Sequence, residues 1–402
     1  MRYADLFAGM GGMSLALEHL CHLRNLTAER VFTSEIKPSA ILSVKANLDE
    51  RTEPLDITTV KSFPGCDILL AGFPCQAFSQ AGKRKGFGDT RGTLFFDVLR
   101  ALDDAKPSLF LLENVEGLMT HDKGRTMEVI YRSLVSSGYK VSFKVLDCSM
   151  FGVPQTRRRV FIAGSKYREP DLESPFPITS VNNGDILEKG VPSEPTPFIS
   201  RLLSLYTVDE LKGKCINDKR GGKDNIHSWE RGLKGTVSED GKALLDSFLL
   251  ERRKRKYAEE SGVEWRDGMP LTVSQMESFY EGKEPLKEVV DDLTARGYLF
   301  PKGGGYTIAT ARVGWEINRI LDPDGKCVTL TATDMSHVGV ADGDTIRRMT
   351  AREGLRMFGY PEWYDLTPVE RKYGMKKVYD LLGNTVVVPA VEAVLGRLLD
   401  TL

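Results

Sequence analysis

Residues 67–97 read DILLAGFPCQAFSQAGKRKGFGDTRGTLFFD, and how that stretch divides decides the fold. Ile68 to Ala71 is a short unbroken apolar run behind Asp67, the pattern of a parallel strand covered on both faces. Gly72-Phe73-Pro74 ends it, so Cys75 falls just past a strand's carboxyl end, where open α/β sheets keep their chemistry. Pro74 restricts the backbone ahead of the thiol, and Lys83, Arg84 and Lys85 follow within reach of a phosphate backbone. A thiol held in a positive, partly open loop is biased toward thiolate and nucleophilic attack. A free cysteine is also a common core residue, and the stretch alone leaves both readings open.

Toward the amino terminus, Ala4–Phe7 is a short apolar strand, and the turn Gly9–Gly12 opens a helix carrying Leu15, Leu17 and Leu20. Glycines there let the backbone approach a ligand closely. Their spacing is not that of a phosphate loop and no Lys-Ser/Thr follows, which disfavours a nucleoside triphosphate. Phe7 is placed to cover an adenine or a sulfonium. Val31–Glu35 reads as the second strand, ending in an acid at the distance from the glycines expected of a carboxylate that holds ribose hydroxyls. Glu35 by itself reads equally as a loop acid or a cap for the helix after Pro38.

Toward the carboxyl terminus, Thr93–Ala105 predicts an amphipathic helix and Ser108–Leu112 another buried strand, with Glu113-Asn114-Val115 at its end. If this strand neighbours Ile68–Ala71, Glu113 stands beside the Cys75 loop. His121–Gly138 predicts a helix with Met127, Ile130, Leu134 and Val135 on one face. Tyr139–Leu146 and Val160–Ala163 read as a hairpin that closes the sheet with an antiparallel strand. Between them Gln155, Arg157 and Arg159 alternate, and so share a face of an extended segment. The alternation predicts an α/β chain with a doubly wound, mostly parallel sheet and one antiparallel strand.

From Lys166 proline and glycine rise and the strand-helix alternation stops. Pro170–Pro197 reads as linker and Ile199–Leu211 as a short helix. Arg252–Lys256 is a basic run within a predicted helix, either a solvated face or a DNA phosphate contact. Val273–Phe279, Leu286–Arg296 and two strands around Gly303-Gly304-Gly305 give helix, helix and hairpin, the order of a winged helix or of a plain insert. Asp380–Thr385 is expected to cap an apolar helix from Pro389 to Leu399, with proline in a first-turn position that costs no hydrogen bond.

Lysine plus arginine number 55 against 56 acids, for a net charge of -1. A nucleic-acid surface must therefore come from local clusters such as Lys83–Lys85 and Arg157–Arg159. Six cysteines lie scattered without a C-x-x-C pair, which suggests neither a disulfide framework nor a zinc site. No secretory leader and no membrane-spanning stretch is read, so a cytosolic location is expected.

Ordered blocks across nearly the whole chain carry a resemblance. Asp5-Leu6-Phe7-Ala8-Gly9-Met10-Gly11-Gly12, the Cys75 stretch, Glu113-Asn114-Val115, Gln155-Thr156-Arg157-Arg158-Arg159 and Gly383-Asn384-Thr385-Val386 resemble the motifs of the cytosine-carbon-5 DNA methyltransferases, prokaryotic type. The resemblance implies a Rossmann-like methyltransferase fold plus a smaller target-recognition domain. Boundaries are expected at 1–165 for the S-adenosylmethionine-binding catalytic domain, 166–378 for recognition, with any winged-helix-like part at 270–310, and 379–402 for a returning helix.

It implies Cys75 as nucleophile toward carbon 6 of a flipped-out cytosine, Glu113 at ring nitrogen 3 and the exocyclic amine, and Arg159 at the base carbonyl and Glu113. Arg157 is expected at an adjacent phosphate or the ring, Asn114 beneath the Cys75 loop, and Gln155 on the catalytic face. S-adenosylmethionine would be held by Phe7, Ala8, Gly9, Met10, Gly11, Gly12, Glu35, Ile36, Asp56, Ile57, Pro74, Leu94, Asn384 and Val386, leaving as S-adenosylhomocysteine. The alternative for Asp56 is a turn residue. Ser79, Lys83, Arg84, Lys85 and Arg91 would face double-stranded DNA. No metal is expected. The block Met357-Phe358-Gly359-Tyr360-Pro361 would frame the recognition domain. A monomer is expected, with a restriction endonuclease as genetic partner and the nucleoid as its place of work. A transfer-RNA cytosine methyltransferase, or a catalytically silent DNA-binding protein on the same fold, are the competing readings.

Overall fold

Short strands buried on both faces build the centre of the first part of the chain. The computed structural model describes residues 1–74, 94–218, 222–308 and 315–402. β1 (Arg2–Leu6), β2 (Glu29–Ser34), β3 (Ile68–Ala71), β4 (Leu109–Val115), β5 (Lys140–Asp147) and β7 (Arg158–Ser165) form a 6-stranded sheet in the order β2-β1-β3-β4-β7-β5. β6 (Gln155–Thr156) stands outside it, paired in parallel with Cys327–Val328. β1, β2, β3 and β4 run parallel, whereas β7 lies antiparallel between β4 and β5. The sheet is thus doubly wound, with its last hairpin inserted in reverse.

From β1 the chain steps to β2 on one side and returns to β3 on the other. That reversal opens a crevice at the strands' carboxyl ends, and the turn after β1 and the loop after β3 both emerge there.

Helices cover the sheet with one apolar face each. α1 (Gly12–Leu23) packs against the carboxyl-terminal helix Val388–Leu399, and His19–Glu392 and Arg24–Asp400 pairs flank the contact. α2 (Pro38–Asn47) begins with proline in its first turn. α3 (Leu94–Ala105) buries Phe95, Val98, Ala101, Leu102 and Ala105, the helical repeat that its sequence announced. α4 runs from Arg125 to Ser136, shorter than expected, because Asp122 and Lys123 adopt positive φ. Met127, Ile130 and Leu134 of α4 are buried, but Val135 points to solvent.

The chain divides into two compact units, Met1–Leu187 with Asp324–Ser336 and Thr350–Leu402, and Glu188–Pro323 with His337–Met349. These limits differ from the expected 1–165, 166–378 and 379–402. The change of composition at Lys166 marks the end of the sheet but not of its core. Phe176 stacks edge-on against Phe151, and Tyr360 and Tyr364 are buried beside the glycine turn.

Asp380–Gly383 is the last turn of a separate helix, Met375–Gly383, and does not cap the helix that follows, which starts at Val388. Met375–Leu399 is apolar and long enough to cross a membrane by composition, contrary to expectation. It is interrupted at 384–387, and much of it is buried within the unit, as a core segment is.

The second unit has its own core around Trp229, Leu244, Phe248, Leu293 and Tyr298. Helices Val273–Glu277 and Leu286–Ala295 precede the hairpin Leu299–Lys302/Gly305–Ile308, in the helix, helix, hairpin order expected for 270–310. The basic run falls beyond a helix that ends at Glu251. Its charges have local partners: Arg252 donates to the Gly268 carbonyl, Arg253 meets Asp267, and Lys254 and Lys256 meet Glu251. Arg252 is buried, so the run is not a solvated face throughout.

One buried charge in the first unit makes stability depend on pH. Asp5 is fully buried in β1; Ser14 Oγ donates to its Oδ2 at 2.6 Å, and its Oδ1 has no partner among the described residues. Burial pushes its carboxyl up to about 6, against the Ser14 bond and the Arg30 charge. Well below pH 4 the group is neutral in folded and unfolded chains alike. As pH rises from there to about 6 the unfolded chain ionises first, so stability falls by on the order of 3 kcal/mol. Asp5→Asn is expected to gain on the parent protein across that interval in urea denaturation; parallel pH profiles would refute this.

Candidate functional site

The turn after β1 is built from unusual backbone. Phe7 has φ +57° and Gly9 φ +55°, a conformation that costs an aromatic residue energy and is found where a site requires it. It is held by Ser34, whose Oγ accepts from Phe7 N–H at 3.3 Å and whose carbonyl accepts from Ala8 N–H at 3.0 Å. Glu35 completes the clamp. One carboxylate oxygen accepts from Gly9 N–H at 2.8 Å and the other from Ile36 and Lys37 N–H, each at 2.8 Å. Lys37 is the residue before α2, so Glu35 is a helix-entry acceptor and a cleft residue at once.

A cleft of about 460 Å³ lies over this turn. Phe7, Gly9 and Met10 line it from the turn after β1, and Glu35 and Ile36 from the segment after β2. Asp56, Ile57, Pro74, Leu94 and Asn384 close it further round. Asp56 caps the turn Ile57–Thr59; the backbone and hydroxyl bonds from Thr58 hold its carboxyl below the usual range. The turn reading of Asp56 and a place in the cleft are therefore compatible.

Ala8, Gly11, Gly12 and Val386 are not among the lining residues. The two glycines are needed for packing: a side chain on Gly11 would strike Leu48, and a Cβ on Gly12 would come 2.7 Å from both Tyr360 Oη and Val386 Cγ2.

At its other end the same cleft is lined by Glu113, Asn114, Arg157 and Arg159. Arg159 Nε is 3.1 Å from Glu113 Oε1. Burial pushes the Glu113 carboxyl up, opposed by the charges of Arg159 and then Arg157. Asn114 Nδ2 donates to the Phe73 carbonyl at 2.9 Å, which ties the end of β4 to the chain two residues ahead of Cys75. Cys75, Ser79, Lys83, Arg84, Lys85 and Arg91 lie outside the described residues.

Gln155 and Arg157, both expected on the catalytic face, bond mainly to backbone, although Arg157 also lines the cleft. Gln155 is fully buried and accepts from Leu330 N–H at 3.1 Å. Arg157, expected at a phosphate or the ring, is 3% exposed and donates to the backbone carbonyls of Leu330, Gly383 and Thr385. Alternation along the strand put Gln155, Arg157 and Arg159 on one face, but only Arg159 reaches Glu113.

Thr331, Ala332, Leu381, Gly383 and Thr385 also line the cleft, and sequence reasoning missed their part in it. The one signal for them was that Gly383 and Thr385 stand inside the last motif block. Thr331 caps a four-residue helix, Ala332–Met335, that packs on Met375–Gly383. Among the described residues there is no group of three or more His, Cys, Asp or Glu placed to hold a metal.

The description "C-5 cytosine-specific DNA methylase" matches this chain over residues 1–400. The chain belongs to that family. Over 428 residues it is 48% identical to the Type II methyltransferase M.NlaIV of Neisseria lactamica, covering 100% of this chain and 99% of that one. The Type II methyltransferase M.NgoBV of Neisseria gonorrhoeae is 47% identical over 432 residues, again covering 100% and 99%. Among solved structures, S. pombe Dnmt2 methyltransferase aligns with TM-score 0.53 and 18% identity, covering 100% of this chain and 98% of that one. A putative DNA modification methyltransferase from an E. coli prophage aligns with TM-score 0.55 and 20% identity, covering 100% and 99%. At those identities the structures share the fold.

As a C-5 cytosine methylase the protein is an enzyme, a DNA (cytosine-5-)-methyltransferase, and its family implies S-adenosylmethionine as methyl donor. The cleft suits that molecule. A Cβ on Gly9 would meet no described residue within 4 Å, which leaves room for a ligand against the backbone. Glu35 and Asp56 offer acceptors for hydroxyl and amino groups, and Ile36, Ile57 and Leu94 offer apolar walls for a purine.

In Glu35→Gln an amide NH₂ must face either Gly9 N–H or the Ile36 and Lys37 pair, donor against donor. We expect the S-adenosylhomocysteine dissociation constant to rise about tenfold or more, as for a lost hydrogen bond to a charged group, measured by isothermal titration calorimetry; an unchanged constant would remove Glu35 from the site.

Proposed function

We propose that this methyltransferase modifies carbon 5 of a cytosine swung out of duplex DNA at one short sequence, through a covalent adduct with Cys75. The observation that carries the reading is convergence. The Glu113–Arg159 pair, the Asn114 tether to Phe73 and the Glu35-clamped turn all line or adjoin one cleft at the sheet's switch point.

S-adenosylmethionine, when bound, supplies an electrophilic methyl group. Carbon 5 of cytosine is too weak a nucleophile to take it unaided. Cys75 Sγ adds to carbon 6, and the electron pair so released makes carbon 5 nucleophilic. Glu113, its carboxyl pushed up by burial, can carry the proton that nitrogen 3 takes as the adduct forms. Arg159 orients Glu113 and faces the base carbonyl. After methyl transfer, loss of the carbon-5 proton to a base or water expels the Cys75 thiolate and restores the ring.

A stacked cytosine exposes neither carbon 6 nor its edge to such a pocket, so the base must leave the helix. The second unit is the candidate for target recognition, since the motif residues fall in the first. Relatives that are Type II methyltransferases support work in a restriction-modification system, on double-stranded DNA inside the cell, with the endonuclease as a genetic partner. A monomer suffices for this chemistry.

Cytosine-methylation mapping of genomic DNA from cells expressing the protein, beside a Cys75→Ala control, is expected to show one short methylated motif with the intact protein alone. DNA methylation that survives Cys75→Ala would sink the covalent route. Methylated RNA without methylated DNA would sink the DNA substrate.

A further inference from the structure

We infer that Arg157 is a positioning residue for the cofactor side of the cleft, and not a contact to the DNA backbone or the target ring. This rests on the proposed reading of the cleft. Arg157 Nη1 donates to the Leu330 carbonyl at 3.0 Å, and Nη2 to the carbonyls of Thr385 at 3.0 Å and Gly383 at 3.3 Å. Its guanidinium lies 5.2 Å from the centre of the Phe358 ring. Nη1 and Nη2 are aimed at backbone, Nε is buried without a partner among the described residues, and 3% of the residue's surface is exposed, so little is left to offer a phosphate.

The carbonyls belong to two walls of the cleft. Leu330 precedes Thr331 and Ala332, while Gly383 and Thr385 bracket Asn384. The walls meet so closely that a side chain on Gly383 would collide with the backbone of Ala332. A rigid planar fork can satisfy carbonyls from both at fixed separation; a single ammonium on a flexible stem cannot hold the same geometry.

The linkage continues to the glycine turn. Thr385 Oγ1 and Tyr360 Oη are 2.6 Å apart, and Tyr364 Oη donates to the Met10 carbonyl at 2.6 Å. Burial, then the Arg159 charge, pulls the Arg157 guanidinium down to about 10, the cost of keeping a strut where water cannot reach.

The experiment compares Arg157→Lys and Tyr360→Phe with the parent protein. S-adenosylhomocysteine binding is measured by calorimetry, binding to sheared genomic duplex DNA without cofactor by anisotropy over a salt series, and melting temperature in parallel. We expect the S-adenosylhomocysteine dissociation constant to rise about tenfold or more in Arg157→Lys, as for hydrogen bonds to a charged group. DNA affinity should stay within about twofold with the same salt slope, whereas loss of a phosphate contact lowers that slope by about 1. Tyr360→Phe should weaken cofactor binding in the same direction with DNA binding unmoved. Unchanged cofactor affinity, or a reduced salt slope, in Arg157→Lys overturns the inference. If Arg157→Lys does not fold, unchanged cofactor affinity in Tyr360→Phe overturns it. If the parent protein itself fails to bind S-adenosylhomocysteine, the reading of the cleft falls first, an outcome separable from equal binding by parent and variants.

Discussion

The reversal of strand order between β1 and β3 is the constraint on which the site depends. Right-handed crossovers to opposite sides of β1 carry their helices to opposite faces of the sheet, so the loops leaving β1 and β3 diverge and leave a crevice between them. The glycine turn after β1 and the Phe73-Pro74 loop after β3 thereby face one space. The methyl donor and the attacking thiol of the proposed reaction need that adjacency, because methyl transfer requires donor and acceptor in near contact. The antiparallel β7 adds the second requirement. Lying against β4, it sets Val115 opposite Arg159, which lets the Arg159 side chain reach Glu113.

Charge inside the first unit is arranged in two ways. Glu113 and Arg159 are paired along the cleft with little of either side chain exposed. Arg157, two residues earlier, donates to backbone carbonyls. The contrast follows from local geometry: β6 pairs with Cys327–Val328 outside the main sheet, and this leads the chain at 155–157 toward Leu330 and Thr385, whereas residue 159 already belongs to β7. Neighbouring cations in one motif thus do different physical work. The near-neutral composition of the chain conceals this, since net charge reports neither burial nor partners.

The strand at 68–71, the helix at 94–105 and a buried strand from about 108 were legible in sequence, because unbroken apolar runs and a 3.6-residue repeat have few folded solutions; the expected end of that strand at Leu112 falls short, for it runs on through Glu113 to Val115. The division of the chain was not. Residues 166–187, 324–336 and 350–378 look unlike the sheet region, yet they cover it. Composition changes where regular alternation stops, and cores extend to wherever apolar surface remains to be covered. Glu35 and Asp56 were found by position, but their double service as backbone acceptors was not, since hydrogen-bond partners depend on the turn each acid enters.

What the sequence by itself determined is the chemistry available and its order along the chain: a cysteine after one apolar run, Glu-Asn after the next, arginines ahead of the last, and a glycine turn at the start. Those are local facts, set by strand length, turn residues and motif spacing. Only the tertiary structure decided that Gly11 and Gly12 serve packing, that Thr331 and Ala332 wall the cleft, and that Arg157 joins segments more than 150 residues apart. The reason is physical: a side chain's role depends on which distant backbone groups reach it once water is excluded, and no period or spacing in the sequence records that.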